Sequence, residues 1–231
     1  MAPVVRPIVR PIVRHVGDTG VLLEFGTVID PAVFDAILAL DAALAADPPP
    51  GLTETVPAYV TLLLVYDPLV TDAGTIAAEA LRRAQTTGAA ASPGRDHLVP
   101  MCFDADLAPD LADAAAQLGL DAEAVIAAHL AAEYRVYMYG FAPGYAYMDG
   151  VPPALHLPRK AVPVRSRPVG TVMIAGGQCL ITTLPMPTGW WVIGQTRVPV
   201  LRLDSPQPFL FQPGDRVRFA RQSRPSFDAG R

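Results

Sequence analysis

Residues able to contact a small molecule are concentrated in four stretches of the second half of the 231-residue chain. These are residues 140–147 (Gly-Phe-Ala-Pro-Gly-Tyr-Ala-Tyr), 158–159 (Pro-Arg), 175–178 (Ala-Gly-Gly-Gln) and 188–196, which includes Trp-Trp and Gly-Gln-Thr. Glycine and proline favour an irregular backbone, so side chains can point at a ligand without helix or strand geometry limiting their direction. The candidate substrate contacts are Tyr145, Tyr147, Arg159, Gln178, Trp190 and Gln195.

The chemistry open to these residues is binding and orientation, because no nucleophile motif accompanies them. No serine stands in a Gly-x-Ser-x-Gly turn, and no Ser–Lys pair is available for an amidase dyad. Lys160 is the only lysine, and Ala161 follows it where a Walker A loop needs Ser or Thr. Its Pro-Arg-Lys-Ala context also differs from a Met-flanked biotin-attachment hairpin. The sequence therefore predicts no P-loop nucleotide and no attached biotin, and it identifies no catalytic residue.

Several residues admit both a binding role and a structural one. Arg159, Arg165 and Arg167 surround a proline-rich stretch, where they either hold a carboxylate or phosphate or belong to a solvated loop. Successive strand residues point to opposite faces of a sheet. Of Trp190 and Trp191, one is therefore expected inside and the other in a groove or against a partner.

A metal site is not predicted. The four histidines show no His-x-His or His-x-x-x-His spacing, and Cys102 and Cys179 do not pair with them in sequence. His129 lies four residues after Val125 on a predicted helix, so we expect it to pack on an apolar face.

The amino-acid composition limits the classes of protein to which the chain can belong. A hydrophobic fraction of 51% with 17% charged residues is typical of a globular chain, and a net charge of −4 gives no general attraction to nucleic acid or membranes. The longest strongly apolar run, residues 59–66, is too short to span a bilayer. With no apolar leader and two cysteines in apolar contexts, we expect a reduced, cytoplasmic protein with no nucleic-acid or membrane partner.

The first half of the chain predicts a small α+β domain over residues 1–88. Asp30 and Asp72 are expected to cap two helices. An early Gly-Asp-Thr-Gly turn predicts a hairpin, and two strands are expected on either side of Pro57. Residues 86–95, rich in small side chains with Gly and Pro, are the expected linker.

The second half predicts a β-barrel domain over residues 96–222. A first strand near 98–103 and two short helices at about 106–118 and 121–132 precede a series of short apolar segments broken by Pro and Gly. Strands are expected at 135–139, 172–175, 179–183, 191–193, 200–203 and 216–220. Residues 223–231 are expected to be a loose tail.

Taken together, the ordered motifs resemble the KipI family, whose members are also called allophanate hydrolase subunit 1 or the B-type subunit of 5-oxoprolinase. The matching stretches are 17–20, 51–59, 140–147, 157–159, 170–172, 174–178, 189–190, 193–196 and 214–219. The resemblance implies an α+β fold, with a small N-terminal α+β domain and a cyclophilin-like β-barrel C-terminal domain. The chain departs from the family at Gln195, where an arginine is common, and at Met186-Pro187-Thr188, where Ser-Pro-Gly is common.

The resemblance implies one component of a hetero-oligomeric, ATP-dependent 5-oxoprolinase, which opens 5-oxoproline to glutamate. The expected partners are a sister cyclophilin-like subunit (the C-type subunit of 5-oxoprolinase, or allophanate hydrolase subunit 2) and an ATP-using lactam hydrolase subunit. ATP would bind that last partner, and this chain would bind no cofactor and be inactive alone. Its polar contacts would be Tyr145, Tyr147, Arg159, Gln178 and Gln195, with Trp190 as a wall.

Two alternatives stay open at this point. The same two-domain unit forms half of the carboxyltransferase region in biotin-dependent urea carboxylase, where it would receive carboxylated biotin from another chain. A relative of another class inhibits a sporulation histidine kinase by protein contact. That role predicts an exposed apolar patch on the barrel and needs no pocket.

Overall fold

The computed structural model describes residues 11–87 and 94–230, and the chain divides into two compact units, residues 1–93 and 94–231. The division falls within the expected linker, of which residues 88–93 lie outside the described part of the chain. Both units combine helices and strands, so the α+β class predicted from the sequence is confirmed.

The first unit is an antiparallel sheet with two helices. Its elements are β1 (Ile12–Val16), β2 (Gly20–Glu24), α1 (Pro31–Ala46), β3 (Leu52–Ala58), β4 (Thr61–Tyr66) and α2 (Ala73–Thr86). The strand order is β1-β2-β4-β3, and the apolar helix faces share a core with the sheet. Asp30 and Asp72 cap the helices as predicted, accepting hydrogen bonds from Ala32 N at 2.8 Å and Thr75 N at 2.9 Å.

Pro57 does not separate two strands, as expected, but lies inside β3. The turn comes two residues later, at Tyr59, whose φ of 45° falls in the left-handed region. β3 is an edge strand, so one of its two sides faces no neighbouring strand. Proline is tolerated in such a strand because no strand on that side needs its N–H as a hydrogen-bond donor.

The second unit carries the remaining elements. These are β5 (Asp96–Met101), α3 (Leu111–Leu118), α4 (Ala122–Ala131), β6 (Tyr134–Tyr139), β7 (Ala146–Asp149), β8 (Val164–Arg167), β9 (Thr171–Ala175), β10 (Gln178–Ile181), β11 (Met186–Thr188), β12 (Trp191–Gln195), β13 (Arg216–Arg221) and α5 (Arg224–Ala229). A 3₁₀ turn spans Pro153–Leu155. Strands β8 and β11 form a separate two-stranded ribbon.

The main sheet of this unit is nearly closed into a barrel, as predicted. Its order is β12-β9-β10-β7-β6-β13-β5, and its two ends meet where Cys102, just beyond β5, pairs with Gln195 of β12. Their backbone hydrogen bonds measure 2.8 and 3.0 Å. Gly194 permits this approach, since a Cβ there would lie only 2.8 Å from Cys102 O and 2.4 Å from Met101 Cε.

Some elements of the second unit differ from those predicted from the sequence. The helix expected from residue 106 begins at Leu111, because Leu107 N and Ala108 N both bond to Asp104 O in a preceding turn. The strand expected at 200–203 is absent from the described residues except for one bridge between Leu201 and Phe209. Strands β7, β8 and β11 were not predicted, since each has four residues or fewer and too little alternation to detect.

The expected loose tail instead contains α5. Ser223 caps this helix, and Phe227 is buried, with 1% of its surface exposed. The Arg197 guanidinium lies over the Phe227 ring, 4.4 Å from its centroid. A polar segment is thus ordered by one buried aromatic side chain whose partners lie elsewhere in the unit.

His129 packs in the core, as predicted from its helical spacing. Its Nδ1 lies 2.6 Å from Tyr134 Oη, and the rings of Phe103, Tyr134 and Phe219 surround it. Burial lowers the pKa of His129 to about 3, because the apolar surroundings disfavour the charged imidazolium.

We expect the free energy of unfolding to fall as the pH drops from about 6.5 toward 3. In the unfolded chain, His129 takes up a proton near its ordinary pKa, whereas in the folded protein its pKa of about 3 keeps it neutral over this range. One such group contributes a slope of about 1.4 kcal/mol per pH unit in this window. Urea unfolding of wild type and His129→Gln at several pH values measures the difference. Equal slopes in the two proteins would contradict it.

Phe227→Ala should destabilise the second unit by about 3 kcal/mol, the usual cost of truncating a buried aromatic residue. The matched control is Ala229→Ser on the exposed side of the same helix, which should change stability by less than about 0.5 kcal/mol. Chemical denaturation followed by tryptophan fluorescence reports the second unit, which contains both tryptophans. A neutral Phe227→Ala variant would show that α5 is not anchored.

Candidate functional site

A cavity of about 150 Å³ lies on the outer face of the β9–β10 hairpin. The two strands alternate, so that Ile174 and Cys179 point into the barrel core while Met173 and Leu180 point outward to a second apolar cluster with Trp190. The cavity is lined by Phe141, Tyr145, Tyr147, Arg159, Met173, Leu180, Met186, Pro187, Thr188, Gly189 and Trp190.

One wall is the 140–147 segment, in which an irregular loop leads into β7 at Ala146. Phe141 and Gly144 have φ angles of 69° and 71°, both in the left-handed region. At Gly144 a Cβ would also lie 3.3 Å from side-chain atoms of Phe209 and Thr183, so both conformation and space favour glycine. The loop leaves Phe141 79% exposed beside the cavity.

The opposite wall is β11 and the turn that follows it. Thr188 Oγ1 accepts a hydrogen bond from Trp190 N at 3.0 Å, which fixes the turn. Trp190 belongs to the outer cluster at the cavity, whereas Trp191 enters the barrel core and donates its indole N–H to Pro158 O at 2.7 Å. The predicted division of the two tryptophans between inside and groove is confirmed.

Two hydroxyls of the cavity are bonded to methionine sulfurs. Tyr145 Oη donates to Met186 Sδ at 2.6 Å, and Thr188 Oγ1 donates to Met173 Sδ at 3.1 Å. Burial, and to a smaller degree the neighbouring Tyr147, raises the pKa of Tyr145. Its hydroxyl therefore stays protonated, and able to donate, across the neutral pH range.

Arginine is the only cation type among the described residues that line the cavity. The exposed Arg159 guanidinium lies 5.6 Å from the centroid of the Trp190 ring. Arg165 and Arg167 follow on β8, the partner of β11 in the ribbon. Across residues 11–87 and 94–230, none of these three arginines forms an ion pair with a carboxylate. This region can therefore attract an anion.

Lys160 has a structural role. Its ammonium lies 2.5 Å from Asp110 Oδ2 and 5.8 Å from the centroid of the Trp191 ring. The same carboxylate oxygen accepts the Val192 N–H at 2.8 Å. The only lysine is thus used to hold the start of β12 beside α3, and not to line the cavity.

The structure brings four of the six predicted contact residues to the cavity: Tyr145, Tyr147, Arg159 and Trp190. Gln178 pairs with Asp149 across β10 and β7, one row beyond Leu180, and does not line the cavity. Gln195 lies at the barrel closure, where its side-chain Nε2 donates to Val169 O at 3.0 Å. The ligand-binding role of all six residues stays a prediction.

The six candidate contacts do not include the apolar floor or the Thr188 hydroxyl, although Thr188 begins the 188–196 stretch. The two-residue alternation of β9 and β10 predicts that Met173 and Leu180 face outward, because their neighbours in sequence are core residues. The side-chain direction of Met186 could not be predicted in this way, since β11 is only three residues long and contains a proline.

Two kinds of feature are absent from the described residues. Within residues 11–87 and 94–230, no three His, Cys, Asp or Glu side chains are grouped as a metal ion would require. No helix in the same part of the chain has both the length and the apolarity to cross a bilayer.

Comparison with known proteins places this geometry in a family. Residues 11–211 match the family model described as carboxyltransferase domain, subdomain C and D. The B-type subunit of 5-oxoprolinase from Bacillus subtilis (strain 168) is 32% identical over 227 residues, covering 93% of this chain and 94% of its own.

Solved structures agree on the fold. The structure of TTHA0988 is 39% identical with a TM-score of 0.79, and the match covers 93% of this chain but only 41% of the TTHA0988 chain. The Kluyveromyces lactis urea amidolyase, with 17% identity and a TM-score of 0.76, covers 97% of this chain and 16% of its own, and shows the shared fold alone. The chain belongs to the carboxyltransferase subdomain C and D family, within which it is similar to the B-type subunit of 5-oxoprolinase.

Proposed function

We propose that this chain is the pocket-forming subunit of an ATP-dependent 5-oxoprolinase-type complex, which opens 5-oxoproline to glutamate. The observation that carries the proposal is the convergence of separate signature stretches on one cavity. The 140–147 segment, Arg159 and the 186–190 segment are far apart in sequence but line the same space. Similarity over nearly the full length to a 5-oxoprolinase component makes 5-oxoproline the first substrate to test.

The cavity suits a small lactam that carries a carboxylate. Tyr147 and Trp190 meet edge to face, with 6.0 Å between ring centroids, and offer an apolar surface to a five-membered ring. Arg159 lies beside them and is exposed, so it can pair with the carboxylate without burying an unpaired charge.

The cavity contributes little to bond breaking by itself. No serine, cysteine, lysine or histidine is among the described residues that line it. A lactam is a stable amide, so its opening needs activation from elsewhere. This fits partners that supply the missing parts: an ATP-using subunit that activates the lactam and a sister cyclophilin-like subunit that completes the site. The chain alone is then inactive.

A carboxyltransferase role is the second candidate. The three arginines without carboxylate partners in the described residues would equally suit a carboxylated cofactor carried on another chain. Its relation to urea amidolyase is through fold alone at 17% identity, against 32% for the 5-oxoprolinase component. Binding of biotin that competes with 5-oxoproline would favour this second role. A kinase inhibitor needs no pocket, which makes that role the least supported.

The first prediction from this proposal concerns the assembled enzyme. Co-expressed with its sister subunit and the ATP-using subunit, this chain should be required for glutamate formation from 5-oxoproline and ATP. Omitting it should abolish turnover, because one wall of the site is lost. Release of glutamate and ADP in matched preparations with and without the chain measures this. Undiminished turnover without the chain would refute the proposal.

The second prediction concerns Arg159. In the assembled enzyme, Arg159→Ala should raise the KM for 5-oxoproline roughly tenfold, the usual effect of losing one charged hydrogen bond. Arg221→Ala is the matched control, since Arg221 pairs with Glu123 on the surface and does not line the cavity. Steady-state kinetics at saturating ATP distinguishes the two. Equal KM values for Arg159→Ala and wild type would exclude Arg159 as the carboxylate ligand.

A further inference from the structure

The hydroxyls of Tyr145 and Thr188 both donate to thioether sulfurs. A thioether is a weak hydrogen-bond acceptor. Tyr145 and Thr188 are only 2% and 7% exposed, so water does not compete freely for their protons. Both acceptors, Met186 and Met173, line the same cavity as the donors.

From this arrangement, and resting on the proposed function, we propose that Tyr145 and Thr188 are the donors for the lactam carbonyl oxygen. On binding, each hydroxyl rotates from its sulfur to the carbonyl oxygen, which is the stronger acceptor. Each donor thus exchanges a weak hydrogen bond for a better one, and neither is left unpaired in the empty protein.

The orientation of the ligand follows from where charge is tolerated. Arg159 is exposed while the two hydroxyls are buried. A carboxylate buried away from a cation is costly, so the charged end of the ligand stays with Arg159 and the neutral carbonyl end enters the floor. Among the described residues lining the cavity, none carries a carboxylate, so nothing there repels an oxygen acceptor.

Thr188 is the better fixed of the two donors. Its Oγ1 already accepts the Trp190 N–H at 3.0 Å, which leaves the hydroxyl hydrogen as the group free to turn. Tyr145 is fixed instead through its backbone, since its N–H donates to Ala142 O at 3.1 Å within the loop. Substrates lacking an acceptor oxygen at this end are then expected to bind poorly.

The test is a titration of the chain in complex with its sister subunit, using two probes, 5-oxoproline and 2-pyrrolidinone, which is the same lactam without the carboxylate. Tyr145→Phe and Thr188→Val should each weaken binding of both probes by the same factor, roughly tenfold. Arg159→Ala should weaken 5-oxoproline alone. Chemical-shift titration by NMR measures all four proteins. If the hydroxyl variants weaken only 5-oxoproline, or neither probe, the assignment is wrong.

Three further variants separate binding from a structural role. Met186→Leu removes the sulfur and keeps the Tyr145 hydroxyl, so it should bind 5-oxoproline more tightly than Tyr145→Phe does; equal or weaker binding would mean that the hydroxyl serves only to place Met186. Thr188→Ser keeps the hydroxyl and should bind more tightly than Thr188→Val. The off-site control is Tyr66→Phe, which deletes a hydroxyl that donates to Asp18 O in the first unit.

Turnover of the assembled enzyme distinguishes this inference from the proposed function. Normal ATP-dependent glutamate formation with Tyr145→Phe and Thr188→Val would overturn the donor assignment and leave the function intact. A wild-type assembly that forms no glutamate, with 5-oxoproline binding still sensitive to both hydroxyl variants, would overturn the function and support the donor assignment.

Discussion

The two-residue alternation of the β9–β10 hairpin is the constraint on which the second unit depends. Ile174 and Cys179 fill the barrel core, and their neighbours Met173 and Leu180 form the floor of the cavity on the opposite face. A register shift of one residue would exchange the two sets and remove both the core and the floor. Core packing and site formation therefore rest on the same strands.

The barrel closure and the Asp110–Lys160 pair hold the other side of the site. The closure places β12 at the end of the sheet, with Gly194 allowing the contact with Cys102. Asp110 then binds both Lys160 and the Val192 N–H, which ties the segment after Arg159 to β12. These contacts hold the segment after Arg159 against the start of β12 without lining the cavity themselves.

Several features set by nearby residues could be predicted from the sequence, whereas some features set by contacts across the fold could not. The caps at Asp30 and Asp72 and the packed His129 depend on neighbours within one or two helical turns. The order in α5 depends on where Phe227 is buried, which no local pattern contains. The motif around Gln195 predicts a ligand contact, which stays a prediction, but the position of Gln195 at the barrel closure is set by pairing with distant Cys102.

The sequence by itself determined the α+β class, the helix caps, the resemblance to a family and most of the residues of the cavity. Only the tertiary structure decided that Tyr145, Tyr147, Arg159 and Trp190 share one space, that Gln178 and Gln195 lie outside it, and that Met173, Met186 and Thr188 complete it. The physical reason is that the residue types of the sequence determine which chemistry is possible. Which side chains meet depends on strand register and barrel closure, which join positions far apart in the chain.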